Sequence, residues 1–199
     1  PDGSTSLQNI VAVATGRTHA LALREDGTVW SWGQANSGQL GIGRFGFSGV
    51  DRAGYPIGYV PFAVPVCGLT DIVAIATGDS HSLALNNVGQ VYSFGNNTWG
   101  QVGDGSTDDK IMPVEVMETA TDVFGDTSII AAGHFHSLAV DTSGNAYARG
   151  RNEYGPLGNL DLGVDSAYPV AVVDESGSPI SNIVDIDGGY AHSLALDSS

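Results

Sequence analysis

The strongest constraint on this chain is that it repeats itself. The segment IVAVATGRTHALAL (Ile10 to Leu23) returns as IVAIATGDSHSLAL (Ile72 to Leu85), as TSIIAAGHFHSLAV (Thr127 to Val140) and as IVDIDGGYAHSLAL (Ile183 to Leu196). The aligned histidines, His19, His81, His136 and His192, stand 62, 55 and 56 residues apart. A near-constant period of this length requires equivalent units that bury their apolar faces against one another. Two further elements follow each of the first three copies: VWSWG, VYSFG and AYARG (Val29, Val91 and Ala146 onward), then NSGQLG, NTWGQVG and NEYGPLG. A Pro-Val segment closes each unit near Pro61 to Val66, Pro113 to Val116 and Pro169 to Val172.

Each unit reads as four short strands. An apolar run such as Ile72 to Ala76 suits a strand buried on both faces. In the next strand His81, Leu83 and Leu85 alternate with Ser82 and Ala84, which puts bulk on one face and small side chains on the other. Turns at Asp26-Gly27, Val88-Gly89 and Ser143-Gly144 reverse the chain into the aromatic strand, because Gly adopts a positive φ at little steric cost. Helix signals are almost absent, and four strands per period with Gly and aromatics at fixed offsets predict an all-β propeller of four-stranded blades. The whole of 1–199 reads as one repeat domain with units at about 8–66, 70–117, 126–173 and 181–199, the last incomplete. That makes a partial ring of about three and a half blades.

The run IVAIATGDSHSLAL, the turn, VYSFGNNTWGQVGDG and the later PVEV resemble repeats of the regulator of chromosome condensation family over nearly the whole chain. The resemblance implies a seven-bladed propeller and, from the best-known member, nucleotide exchange on a small nuclear GTPase with docking on chromatin. The third repeat departs from the pattern with AYARG and GPLG, and the fourth with Asp187. Seven blades of about 50 residues need roughly 350, so 199 residues do not close such a ring alone.

Charge excludes two partner classes. A net charge of -15, from 7 Lys and Arg against 22 Asp and Glu, repels a phosphate backbone. Lys110 and six scattered arginines make no polybasic run for an anionic membrane surface, and no apolar stretch approaches the roughly 20 residues of a span. Cys67 is alone, so neither an intrachain disulfide nor a cysteine zinc site is expected. The acidic, Lys-poor, Cys-poor composition points to an extracellular or virion surface, with a cytoplasmic setting left open. The opening Pro1 points to processing or a fragment.

No catalytic, metal or cofactor residues are expected. Histidines at equivalent repeat positions are spread around a ring, so His19, His81, His136 and His192 read as structural, each ring bonding a neighbouring loop. His134 shares a face with His136 but finds no third ligand. Ser82, Ser137 and Ser193 adjoin histidines, yet adjacent strand residues face opposite ways, so these read as packing residues. Asp104 to Glu115 spaces oxygens somewhat like a calcium loop, with Asp109 where Gly is needed and Pro113 inside it. The Gly38 to Gly43 stretch lacks a P-loop lysine.

One segment breaks the period. The first spacing exceeds the others by about six residues, in RFGFSGVDRAGYPIGYVPF (Arg44 to Phe62). A loop longer than its siblings on a rigid scaffold, rich in aromatics and arginine, is the first candidate for partner contact. Its residues are Arg44, Phe45, Phe47, Arg52, Tyr55 and Tyr59, and the acidic loop Asp104 to Asp109 is second. The sequence therefore predicts a non-enzymatic module for protein interaction or structural assembly, the alternative being a guanine-nucleotide exchange factor. Its partner would be a protein or further chain of the same polypeptide completing the propeller. On this reading the polypeptide extends past Ser199, and the isolated segment is oligomeric or aggregation-prone.

Overall fold

The computed structural model describes the backbone of residues 7–45, 47–50 and 56–198, and the side chains outside 46–57. Among them there is no helix, and fifteen strands form four antiparallel sheets. Blade 1 holds β1 (Ile10–Thr15), β2 (His19–Arg24), β3 (Val29–Gln34), β4 (Phe47–Val50) and β5 (Pro56–Pro65), in the order β1-β2-β3-β5-β4. Blade 2 is β6 (Ile72–Thr77), β7 (His81–Asn86), β8 (Val91–Gly95) and β9 (Lys110–Glu115) in sequence order. Blade 3 repeats this with β10 (Thr127–Ala132), β11 (His136–Asp141), β12 (Ala146–Gly150) and β13 (Ser166–Ala171). The last sheet is β14 (Ile183–Gly188) paired with β15 (Ser193–Asp197).

The long segment of the first unit is not a simple loop. It contributes β4, which pairs with the first half of a ten-residue β5 and places Phe47 opposite Tyr59. Blade 1 thereby gains a fifth strand that its siblings lack.

Alternation of large and small side chains sets how blades stack. Ala84 on β7 joins Leu21 and Leu23 of blade 1 in one core cluster, while Leu85 on the other face joins Ala139 of blade 3. Leu138 and Val140 continue the series against Ile183 and Ile186 of β14. Each second strand thus lays a bulky face on the small face of the next, so strands such as β7 are buried along their whole length. Leu194 and Leu196 of β15 are 65% and 60% exposed, whereas their counterpart Leu83 is fully buried.

Two backbone devices hold the frame. Asn9, Asp71, Asp126 and Asn182 precede the first strand of each sheet at φ of 55 to 60°, a left-handed conformation that Asn and Asp tolerate best. Gly33, Gly95 and Gly150 stand at or next to the end of each third strand at φ of 104 to 108°, opposite the repeat histidine. A Cβ on Gly95 would lie 2.6 Å from the Ser80 carbonyl oxygen and 2.8 Å from the His81 Cα. Gly95→Ala is therefore expected to destabilise the chain by about 2 kcal/mol or more, combining backbone strain with a clash against main chain. Chemical denaturation measures this, and an unchanged midpoint would refute it.

Candidate functional site

The repeat histidines lie between blades. His19 Nε2 is 2.9 Å from Ser82 Oγ, His81 Nε2 is 2.9 Å from Ser137 Oγ, and His136 Nε2 is 3.0 Å from Ser193 Oγ. Each hydroxyl donates onward to a backbone carbonyl of the blade carrying the histidine: Ser82 to Gln39, Ser137 to Gln101 and Ser193 to Pro156, at 2.7 to 2.9 Å. A hydroxyl that spends its one proton on a carbonyl accepts from the ring, so Nε2 carries the proton and Nδ1 does not. This corrects the reading of Ser82, Ser137 and Ser193 as packing residues. The His–Ser contact fails within a repeat, as alternation requires, and forms between repeats. The rings reach their loops only through a serine, not directly.

Burial fixes the charge state. His19 is held down to about pKa 4 by desolvation, against a smaller opposing pull from Asp79, and His136 to about 4 by desolvation with help from His192 and His134. Desolvation, followed by the nearby Arg149 guanidinium, keeps the fully buried His81 well below the ordinary range. The Nδ1 atoms of His19 and His81 are buried without partners, so a second proton there would have nothing to bond. These pairs also offer no nucleophile, because the serines are spoken for and the imidazoles have no orienting acid. His192 is exposed and makes no such bond among the described residues.

The second constellation lies on the rim of the funnel where the first-to-second-strand loops converge. Arg17 N donates to Asp79 O, Asp79 N to His134 O and His134 N to Gly189 O, a backbone chain running across all four sheets. The loops line an open funnel of about 420 Å³. From its lining residues His134 and Tyr190 a ladder of side chains leads outward through Phe135 and Arg151 to Trp99. The Arg151 guanidinium lies 4.6 Å from the Trp99 ring centre and 5.5 Å from that of Phe135. His134 contacts Phe135 at 4.0 Å and stacks on Tyr190 at 4.4 Å. His134 Nε2 is also 3.0 Å from an Asp79 oxygen, too poorly aligned for a hydrogen bond, and Arg17 reaches the same carboxylate at 3.9 Å.

Sequence reasoning missed Trp99, Phe135, Arg151 and Tyr190. For Phe135 and Tyr190 the available signal was the pair of residues between Gly and His in each repeat: Arg17-Thr18, Asp79-Ser80, His134-Phe135 and Tyr190-Ala191 vary inside an otherwise uniform frame.

The other predicted residues scatter. Arg44 and Phe45 are exposed, Tyr59 is 42% exposed on β5, Phe47 lies on β4, and Arg52 and Tyr55 fall outside the described residues. Cys67 is exposed. The calcium-like loop is filled from within: Lys110 Nζ sits 2.6 Å from Asp104, which also accepts from Asn97 and Ser106, while Asp109 accepts from Asn96 and Asn97. Among the described residues no group of three His, Cys, Asp or Glu could hold a metal.

Acid should loosen the blade junctions. A histidine near 6.5 when unfolded and about 4 when folded binds more protons unfolded, so its stabilisation is complete above pH 6.5 and is lost as pH falls toward 4. The limit is about 3 kcal/mol per ring. His19→Gln should flatten the dependence of the melting temperature on pH between 6.5 and 4, and an unchanged slope would disprove this origin. Ser137→Ala should cost about 1 to 3 kcal/mol at pH 7 by orphaning the His81 donor.

The model of the regulator of chromosome condensation (RCC1) repeat matches residues 26–85, 88–140 and 143–196, and a second model of the same description matches 10–39, 72–101 and 128–155. The ultraviolet-B receptor UVR8 of Arabidopsis thaliana is 33% identical over 189 residues, 95% of this chain and 39% of the receptor. A protein RCC2 homolog of Danio rerio is 34% identical over 202 residues, 90% of this chain and 38% of that protein. The chain thus spans about two fifths of these relatives, which lend no support to a virion or extracellular-surface setting. Among solved structures, Prp20p of Saccharomyces cerevisiae superposes with a TM-score of 0.75 at 24% identity, covering 98% of this chain and 45% of that one. Human WBSCR16 gives 0.75 at 23% identity over 95% and 45%. Its repeats, sheets and sequence kinship together place the chain in the regulator of chromosome condensation repeat family, as a partial β-propeller.

Proposed function

We propose that this chain is a non-enzymatic protein-binding module whose working surface is the funnel rim. The ladder Trp99, Arg151, Phe135, His134 and Tyr190 carries the reading. Trp, Tyr and Arg are the residue types that dominate interface energetics, and here they sit together on loops of a rigid scaffold. The β4–β5 hairpin of blade 1 is a second contact region. Prp20p, of the same fold, is described by its binding to Gsp1p and histones, which supports a protein partner without naming one for this chain. Nucleotide exchange rests on kinship alone.

The test compares partners recovered with the wild-type chain, Trp99→Ala, Arg151→Ala and a chain with 44–58 shortened to a Gly-containing turn. Loss of the same partner in both rim variants, with unchanged circular dichroism, supports the rim; retention in both rejects it. Acceleration of fluorescent-nucleotide release from small GTPases would replace the binding reading with exchange.

Completion of the last sheet is a further part of the proposal. β15 pairs only with β14 among the described residues and exposes Leu194 and Leu196, so it can take further strands from the same polypeptide or a partner. The isolated segment should self-associate in chromatography with light scattering, and Leu194→Ser with Leu196→Ser should reduce this. A stable wild-type monomer would show that the two-stranded sheet is tolerated.

A further inference from the structure

The third repeat carries proline where the first two carry a buried glutamine. Gln39 and Gln101 are 1% and 0% exposed, and their side-chain oxygens accept from Ser37 N and Trp99 N, filling the blade 1–2 and blade 2–3 junctions just under the rim. Where blade 3 meets the last sheet Pro156 cannot reach back, and a narrow cleft of about 10 Å³, room for one water, opens between blade 3 and the β14–β15 loop. Phe135, Tyr154, Tyr190 and Ala191 make its walls, with Glu153 and Arg151 at the mouth.

The groups free to meet a partner there are of one chemical kind. Arg151 is spent: its faces lie against Trp99 and Phe135, and its Nη2 bonds Glu153. The Glu153 side chain is 47% exposed, and a carboxylate accepts at about four positions, so capacity remains after Arg151. Tyr154 and Tyr190 are each 66% exposed; one face of Tyr190 lies on His134, and its other face and the Tyr154 ring offer negative π surface at the cleft. The whole chain carries -15 and steers cations toward it.

We infer that the cleft formed by Pro156, Tyr154, Tyr190 and Glu153 is a subsite for a Lys or Arg side chain on a basic segment of a protein partner. This rests on the rim being the binding face and adds the chemistry of what docks there. The cation rests over the mouth of the cleft against the tyrosine rings with its charge on Glu153, while the stem covers Pro156 and Ala191.

The test titrates the whole chain calorimetrically with a Gly/Ser peptide bearing two arginines, and with the same peptide bearing glutamines or glutamates. Binding of the arginine peptide alone is expected, weakened about tenfold by Tyr154→Ala and by Glu153→Gln. Pro156→Gln, which installs the residue of the sister junctions and so should fold, is expected to abolish it. Equal binding of the glutamine peptide, or unaltered binding by Pro156→Gln and Tyr154→Ala, overturns the inference. So does loss on neutralising Glu25 and Asp26 in the β2–β3 turn of blade 1, which would mark diffuse attraction. Should Trp99→Ala still abolish partner recovery while the peptide fails, the rim reading stands and only the subsite falls.

Discussion

A neutral imidazole donating to a serine of the next blade is the contact around which the rest of the frame is arranged. It works only because three other choices agree with it. Gly at 33, 95 and 150 lets the third strand approach the histidine, and Gly78 leaves room for the His81 ring. Bulky leucines beside the histidine press on the small residues beside the serine. At one end of the sheets, the amides of Ile72, Thr127 and Ile183 bond the turn glycines of the preceding blade, and at the other the rim loops are joined main chain to main chain. Each junction is thus closed at both ends and again just beneath the rim, where the His–Ser bond is the one whose strength depends on a protonation state.

The third repeat shows how much variation this scheme absorbs. Arg149 replaces the aromatic that stands at Trp32 and Phe94, and it is buried to 1% beneath Gly103. Its Nε bonds the Gln101 carbonyl, which also receives Ser137, while Nη2 is buried without a partner. Desolvation lowers its pKa to about 9, so the group is still cationic at neutral pH. A buried cation with no carboxylate is costly. Its local effect is to oppose a proton on His81, which favours the neutral ring that the junction needs.

Strand order, sheet membership and the big-on-small alternation were legible because they are local or repeated: period two within a strand, and the same offsets in each unit. The serine acceptors were hidden because their partners lie about a repeat away in sequence, and within one repeat alternation forbids the contact. β4 was unreadable for the opposite reason. Its residues have no counterpart in the other units, so no comparison could separate a strand from a loop. The ladder also escaped notice, since its members vary from repeat to repeat and acquire meaning only when neighbouring loops meet. Pro156 was visible as a departure, but its consequence, an unfilled junction, depends on a glutamine whose burial no pattern announces.

Charge, too, means something different in the folded chain. Part of the acidity is structural: Asp26 caps the turn at Thr28, Asp141 the turn at Ser143 and Asn145, and Asp174 the turn at Ser176 and Ser178. The Asp26 carboxyl is held below its usual range chiefly by the Thr28 hydroxyl, and that of Asp174 by Ser176. Aspartate is favoured at such positions because its side chain bonds backbone two residues on. Blade 2 uses Asn86 at the equivalent turn, bonding Val88 and Gln90, so the cap needs the side-chain oxygen and not its charge. At the rim Arg17 meets Asp79 and Arg151 meets Glu153, beside the rings of Trp99, Phe135 and Tyr190. The rim therefore sets rings beside paired charges, which suits a partner that brings both apolar surface and polar groups.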